Sequence, residues 1–218
     1  MATLEPTLSR MVPGVLGRHD YKIIGELVTP NSKVLDLGCG EGELLDWLVQ
    51  NKNVQARGVE IAPERVRKCV ARGLSVFQGD IDQGLADYPD QCFDYVILSQ
   101  TMQETYRPRD VLEEMGRVAK HMIVAFPNFA RWSVPFSLMA SGRAPKTSHL
   151  PYEWYDSPNI HFVTIIDFEE TLQKLEFEIK RSYFLLHGRR VRVLPNLRAE
   201  LAVYLITSHR ATSAVSVP

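Results

Sequence analysis

Asp36-Leu-Gly-Cys-Gly-Glu-Gly42 places two acids and three glycines within seven residues. The run KVLDLG (33–38) reads as a buried strand. GELLDWLVQ (42–50) reads as a helix with Leu44, Leu45, Leu48 and Val49 on one face. A glycine turn between a strand and a helix is a binding device, because absent side chains let the backbone approach a ligand closely. The dinucleotide fingerprint is G-x-G-x-x-G, whereas Gly38, Gly40 and Gly42 are spaced G-x-G-x-G. Asp36 lies two residues before the first glycine and Glu41 opens the helix. Two carboxylates repel a pyrophosphate and suit a ligand that carries positive charge.

S-adenosylmethionine, or its product S-adenosylhomocysteine, is such a ligand, with an ammonium group and, before methyl loss, a sulfonium. Asp36 is expected to act on the ammonium end, and Cys39 to meet the ligand through its backbone. In an α/β sheet, ligands sit outside the carboxyl ends of the strands. Glu60, in RGVEI, ends the next strand and suits the ribose hydroxyls, with Ile61 beside it. Gly79, Asp80 and Ile81 end the third strand, where Asp80 suits the adenine amino group. Ser99 and Gln100 end the fourth. Four elements in this order, each at a strand end, point to such a site. Two alternatives stay open: the acids only cap the helix, or the turn serves a nicotinamide dinucleotide.

Those strand ends need a frame to hold them together. ARGVEI (56–61), LSVFQGD (74–80), FDYVILS (93–99) and HMIVAFP (121–127) read as further strands. APERVRKCVARG (62–73) and RDVLEEMGRVA (109–119) read as helices between them. The alternation predicts an α/β fold with a doubly wound, mostly parallel sheet and helices on both faces. HDYKIIGELV (19–28) is expected to be a leading helix. Residues 128–160 lack periodicity and are expected to form a long loop, lid or insertion. A helix is predicted over 164–177, with Asp167 as its cap and Glu170 as the capping-box partner. FEIKRSYFLL and LAVYLITS read as closing strands, the last of them antiparallel.

Composition narrows the function. The formal net charge of −1 over 218 residues argues against nucleic acid as the main partner. No run nears the roughly 18 apolar residues that cross a membrane. No signal peptide is read at the start. Cys39, Cys69 and Cys92 lack metal-ligand spacing, and a reducing cytoplasm is the expected setting. Six scattered histidines predict no metal site. Cys69 is expected in the core, and His161 to be structural. Arg189, Arg190, Arg192 and Arg198 lie between the closing strands. They read either as a solvated hairpin or as a contact for an anionic ligand or a partner. No catalytic residue is assigned. Were methyl transfer to need a base, Tyr152, Tyr155 and His161 are the nearest candidates.

The motifs VLDLGCGEGELL, GVEI, QGDIDQGLADYPDQCFDYVILSQTMQ, FPNFARW, LPYEWYDSPNIHF and GRRVRVLPNL together resemble the MetW family of methionine-biosynthesis proteins. That family has the class I (Rossmann-like) S-adenosylmethionine-dependent methyltransferase fold. The likeness runs from about Arg18 to Tyr204. It implies a cytoplasmic role in bacterial methionine synthesis, beside a homoserine O-acyltransferase whose activity the protein supports. It carries Asp36, Gly38, Gly40, Glu60, Asp80 and Ser99 over as cofactor residues, and implies no particular methyl acceptor. The expected organisation is an N-terminal extension (1–17), a methyltransferase-like domain (18–209) and a C-terminal tail (210–218).

Overall fold

The structure is a computed structural model that describes residues 18–146 and 152–208. The expected extension and tail, and part of the variable loop, lie outside the described residues. Among the described residues, eight strands form one sheet: β1 (Lys33–Leu37), β2 (Gln55–Glu60), β3 (Val76–Gln78), β4 (Phe93–Ser99), β5 (Ala119–Pro127), β6 (Phe177–Leu186), β7 (Arg189–Arg190) and β8 (Leu201–Ser208). Their order is β3-β2-β1-β4-β5-β8-β6-β7. β1 to β5 pair in parallel, and β8 pairs antiparallel with both β5 and β6. The closing strand is thus antiparallel, as expected. Its almost continuous apolar run suits the interior place it takes between β5 and β6. β6, with three charged residues in ten, lies further out and is largely exposed.

Helices cover both faces. α1 (His19–Leu27), α2 (Glu43–Lys52) and α3 (Pro63–Ala71) share one, where Ile24, Leu44 and Leu48 pack on Val34, Ile97 and Val203. α4 (Pro108–Val118) and α6 (Ile165–Lys174) share the other, where Leu112, Met115 and Phe168 pack on Leu35, Val96 and Tyr204. Side chains alternate along a strand. In β1, Val34 therefore faces α1 and α2, Leu35 and Leu37 face α4, and Asp36 falls on the α1 side. Cys69 is buried between α2 and α3, as expected.

Two expectations need correction. Thr164, not Asp167, caps α6: its hydroxyl accepts the Asp167 N–H at 3.1 Å and donates to the Asp167 carboxylate at 2.6 Å. Asp167 thus takes the box position reserved for Glu170, because a threonine one turn earlier already has the extended backbone of a cap. The long loop contains a helix, α5 (Ser133–Ser141), of which no residue is buried. A helix that buries no stripe has no amphipathic period to read. The short α7 (Pro195–Arg198) completes the elements. No helix of the described residues is long and apolar enough to cross a membrane.

Leu48 is fully buried beneath α2. Leu48→Ala should lower stability by about 2–5 kcal/mol, and Thr164→Ala by about 0.5–2 kcal/mol, both measured by urea unfolding. A cost near zero for Leu48→Ala would contradict this packing.

Candidate functional site

The turn after β1 is the floor of the site. Gly38, Gly40 and Gly42 all have left-handed backbone. Only Gly40 combines that geometry with open space where a side chain would stand; at Gly38 and Gly42 a Cβ would strike Thr101, or Leu74 and Cys69. Gly40 is therefore the point where the chain is free to meet a ligand. The Glu60 carboxylate anchors this turn, accepting the Gly40 N–H at 2.8 Å and the Ala62 N–H at 2.9 Å. The Cys39 side chain turns inward against Gly58, and burial pushes its thiol well above the usual range. Only its backbone lies toward the rim, so a nucleophilic thiol finds no support. Glu41 points outward to Lys68 at 2.5 Å, and that hydrogen bond holds its carboxyl below the ordinary value.

Asp36 differs from these. It is 3% exposed, and no described residue donates a hydrogen bond to its carboxylate. Burial pushes its pKa up to about 7, with Arg18 pulling down and Asp20 and Glu60 pushing further up. It lines a cavity of about 300 Å³ together with Arg18, Gly40, Glu43 and Ser99. A buried carboxylate without a partner, facing open space, is a receptor for a cation.

Arg18, Asp20 and Tyr21 carry no sequence signal that singles them out. Asp20 is fully buried and binds Arg18 at 2.9 Å, while Ser99 donates to it at 2.5 Å. The same Arg18 nitrogen donates to the Ser99 hydroxyl at 2.8 Å, and the guanidinium lies 4.2 Å over the Tyr21 ring. Burial works against both charges, but each partner outweighs it: Arg18 stays protonated and Asp20 ionised. Asp20 reads in sequence as an ordinary acid favoured in a first helical turn. Nothing in its spacing reveals that the turn is buried against β4. Held this way beside Asp36, Arg18 gives the cavity a fixed cation next to an unpaired anion. That pair matches the carboxylate and ammonium of an amino acid.

The remaining expected residues do not share that cavity. Ile61, Gly79 and Asp80 line a wider groove of about 1230 Å³ along β2 and β3, with Phe77 and Tyr88. Ile61 is exposed there, and Asp80 caps the turn Ile81–Gln83 by accepting the Asp82 N–H. Ile81 packs against the core, and Gln100, with left-handed backbone, follows β4. The segment carrying Asn159 and His161 crosses the end of β4, where the Ile160 and His161 N–H groups bond the Gln103 carbonyl at 2.9 and 3.1 Å. Gln100 Nε2, Gln103 Oε1, Asn159 Oδ1 and His161 Nε2 are all buried there without a hydrogen-bond partner. Among the described residues no group of three His, Cys, Asp or Glu could hold a metal ion.

Strand order, the antiparallel β8 and the acid-glycine rim define a class I methyltransferase fold. A methyltransferase from Mesorhizobium loti, solved by crystallography and described as S-adenosylmethionine dependent, superposes with a TM-score of 0.65 at 15% identity, covering 87% of this chain and 98% of that one. The [4+2]-cyclase SpnF superposes with a TM-score of 0.63 at 16% identity, covering 88% of this chain and 84% of that one. The chain belongs to the family described as "Methionine biosynthesis protein MetW", which matches residues 18–206. It is 35% identical over 204 residues to the "Bifunctional methionine biosynthesis protein MetXA/MetW" of Rhodopirellula baltica, covering 88% of this chain and 32% of that protein. The chain spans about a third of the length of the curated relatives it matches.

The Asp36 carboxyl has a folded pKa of about 7, above the unfolded 3.8. Its ionisation therefore opposes folding increasingly as pH rises from about 4 to 7. Asp36→Asn should leave stability unchanged near pH 4 and raise it by roughly 2–4 kcal/mol at pH 8. Thermal unfolding of both proteins across that range checks the sign; a variant less stable at pH 8 would refute the unpaired carboxylate.

Proposed function

We propose that this protein is a cytoplasmic S-adenosylmethionine-binding module of bacterial methionine synthesis that docks on a homoserine O-acyltransferase and supports its activity. One observation carries the partner: in the Rhodopirellula protein, the region like this chain is joined to another named MetXA. We read MetXA as the acyltransferase. Joining two activities in one polypeptide raises their effective concentration for each other, which is useful where separate chains otherwise have to meet.

The residues fit the cofactor. Asp36 suits its ammonium, Arg18 its carboxylate, and the open side of Gly40 the close approach of its methionine half. Ile61 offers apolar cover and Asp80 a polar edge for the adenine. Glu60 remains the candidate for the ribose, and would have to share its bond to Gly40. We take 18–209 as one domain, with 128–160 as its lid. Cys39, Cys69 and Cys92 are free thiols, in keeping with a reducing compartment. Cofactor occupancy then reports methionine status, provided ligand changes the affinity for the partner.

A second reading, methyl transfer to a small molecule, is favoured by the four unpartnered polar atoms at the end of β4. Buried groups of this kind fit the polar part of an acceptor. When bound, S-adenosylmethionine supplies an electrophilic methyl group. The chain's own contribution is positioning, with His161 as the nearest base for an acceptor that must lose a proton. The likeness to SpnF does not help to choose between the readings, since one fold hosts unrelated reactions.

Titration calorimetry with S-adenosylhomocysteine should give binding that tightens as pH rises through about 7, because the ammonium favours ionised Asp36. Asp36→Ala and Arg18→Ala should each weaken it about tenfold or more. Unchanged affinity in both would remove this ligand. Added to purified homoserine O-acetyltransferase, the protein should raise acyl transfer without consuming S-adenosylmethionine. Steady release of demethylated product instead would favour the second reading.

A further inference from the structure

α5 is a nine-residue helix, SVPFSLMAS, with no buried residue and no charged one. Trp132, Phe136, Leu138 and Met139 are all exposed, Met139 to 78%. Isolated helices this short are marginal in water, and most helical stability comes from packing an apolar face. An apolar helix left outside the core therefore calls for a surface that covers it.

The arginine segment between β6 and β8 proves to be its neighbour. The Trp132 N–H donates to the Leu197 carbonyl at 2.9 Å. Arg131, at the base of α5, pairs with buried Glu200 at 3.0 Å. The same carboxylate accepts the His187 N–H at 2.6 Å, at the tip of the β6–β7 hairpin. These bonds join α5, the exposed Val193, Leu194 and Leu197, and the hairpin into one face. Arg190 is committed, lying over the Tyr183 ring at 4.4 Å and near Glu26. Arg189, Arg192 and Arg198 are exposed and have no carboxylate partner among the described residues. An aromatic and methionine centre with an arginine rim is the composition of a protein interface.

We propose that α5 and the 187–198 segment form a single docking surface, an apolar centre with an arginine rim, for an acidic-rimmed apolar groove on the homoserine O-acyltransferase. This rests on the partner proposed above. The occupant follows from the joined relative, in which the MetW-like region accompanies a second named region, and from the charge the free arginines demand. The surface also adjoins the cofactor cavity. Gly188 lies so close to the His19 ring that a Cβ would come within 2.5 Å of it. The next residue back, Arg18, lines the cavity.

The test uses the full chain and purified homoserine O-acetyltransferase, with affinity measured by surface plasmon resonance at several salt concentrations. Phe136→Ser combined with Met139→Ser should weaken binding at least tenfold, mainly through faster dissociation. Arg189→Glu combined with Arg192→Glu should slow association and abolish its decline with salt. All four side chains are exposed, so thermal stability and S-adenosylhomocysteine binding should match the wild type in both variants. Wild-type affinity in both variants would overturn this surface while leaving the partner in place. Absence of wild-type binding would instead overturn the partner and the surface with it. Self-association of the wild type, lost in the variants, would assign the face to a second copy of this chain and overturn the proposal.

Discussion

A carboxylate with no partner of its own organises the rim of this sheet. Asp36 is buried where its ionised form is disfavoured, and no described residue supplies a hydrogen bond to relieve it. Nearby Glu60 and Glu41 are each satisfied, one by the backbone of the glycine turn and the other by Lys68. The rim thus separates Glu60 and Glu41, which maintain structure, from Asp36, which is buried without a hydrogen bond among the described residues. A carboxylate left in that state is costly on folding and useful on binding, since a cationic group that replaces the missing water recovers part of the cost.

The neighbouring Arg18–Asp20–Ser99 cluster keeps Asp36 from solving its problem internally. Arg18 is the nearest cation, yet Asp20 and Ser99 hold two of its nitrogens. Truncating Asp20 would leave a buried, unbalanced guanidinium free to turn toward Asp36. The cluster also ties the first helix to the end of β4 across 79 residues of sequence. That tie makes the N-terminal helix part of the cavity wall, where its place in the chain marks it only as a lead-in.

Polar satisfaction separates the two halves of the rim. On the side of the glycine turn, the carboxylates of Glu60, Glu41 and Asp20 have partners, whereas that of Asp36 has none among the described residues. On the far side, at the end of β4, four buried polar atoms have no hydrogen-bond partner. The contrast explains why the first half reads as a defined ligand site and the second only as a place where polar chemistry could be received. The same division runs over the surface. Charged residues on α3 and α4 pair with one another, whereas Arg189, Arg192 and Arg198 have no carboxylate partner among the described residues and the apolar side chains of α5 stay exposed.

Much of this architecture is legible in the amino-acid chain alone. Strong apolar runs mark the parallel strands, and the spacing from Asp36 to Gly42 places a turn at their carboxyl edge, because strand and turn chemistry are local properties of the chain. Glu60 and Asp80 emerge by the same logic, as strand-end acids. Position in a strand does not say what a carboxylate does, however: Glu60 braces Gly40, Asp80 caps a turn, and only Asp36 is left unpaired. Arg18, the α5 helix and its union with the arginine hairpin lie beyond sequence reading for one reason. Burial of a charge and exposure of an apolar helix depend on what long-range packing brings alongside, and no local pattern encodes that. Local chemistry along the chain dictates the order of strands and helices and the residues at the rim. Which of those residues are already spoken for, and which remain free to bind, is settled by distant segments meeting in the folded molecule.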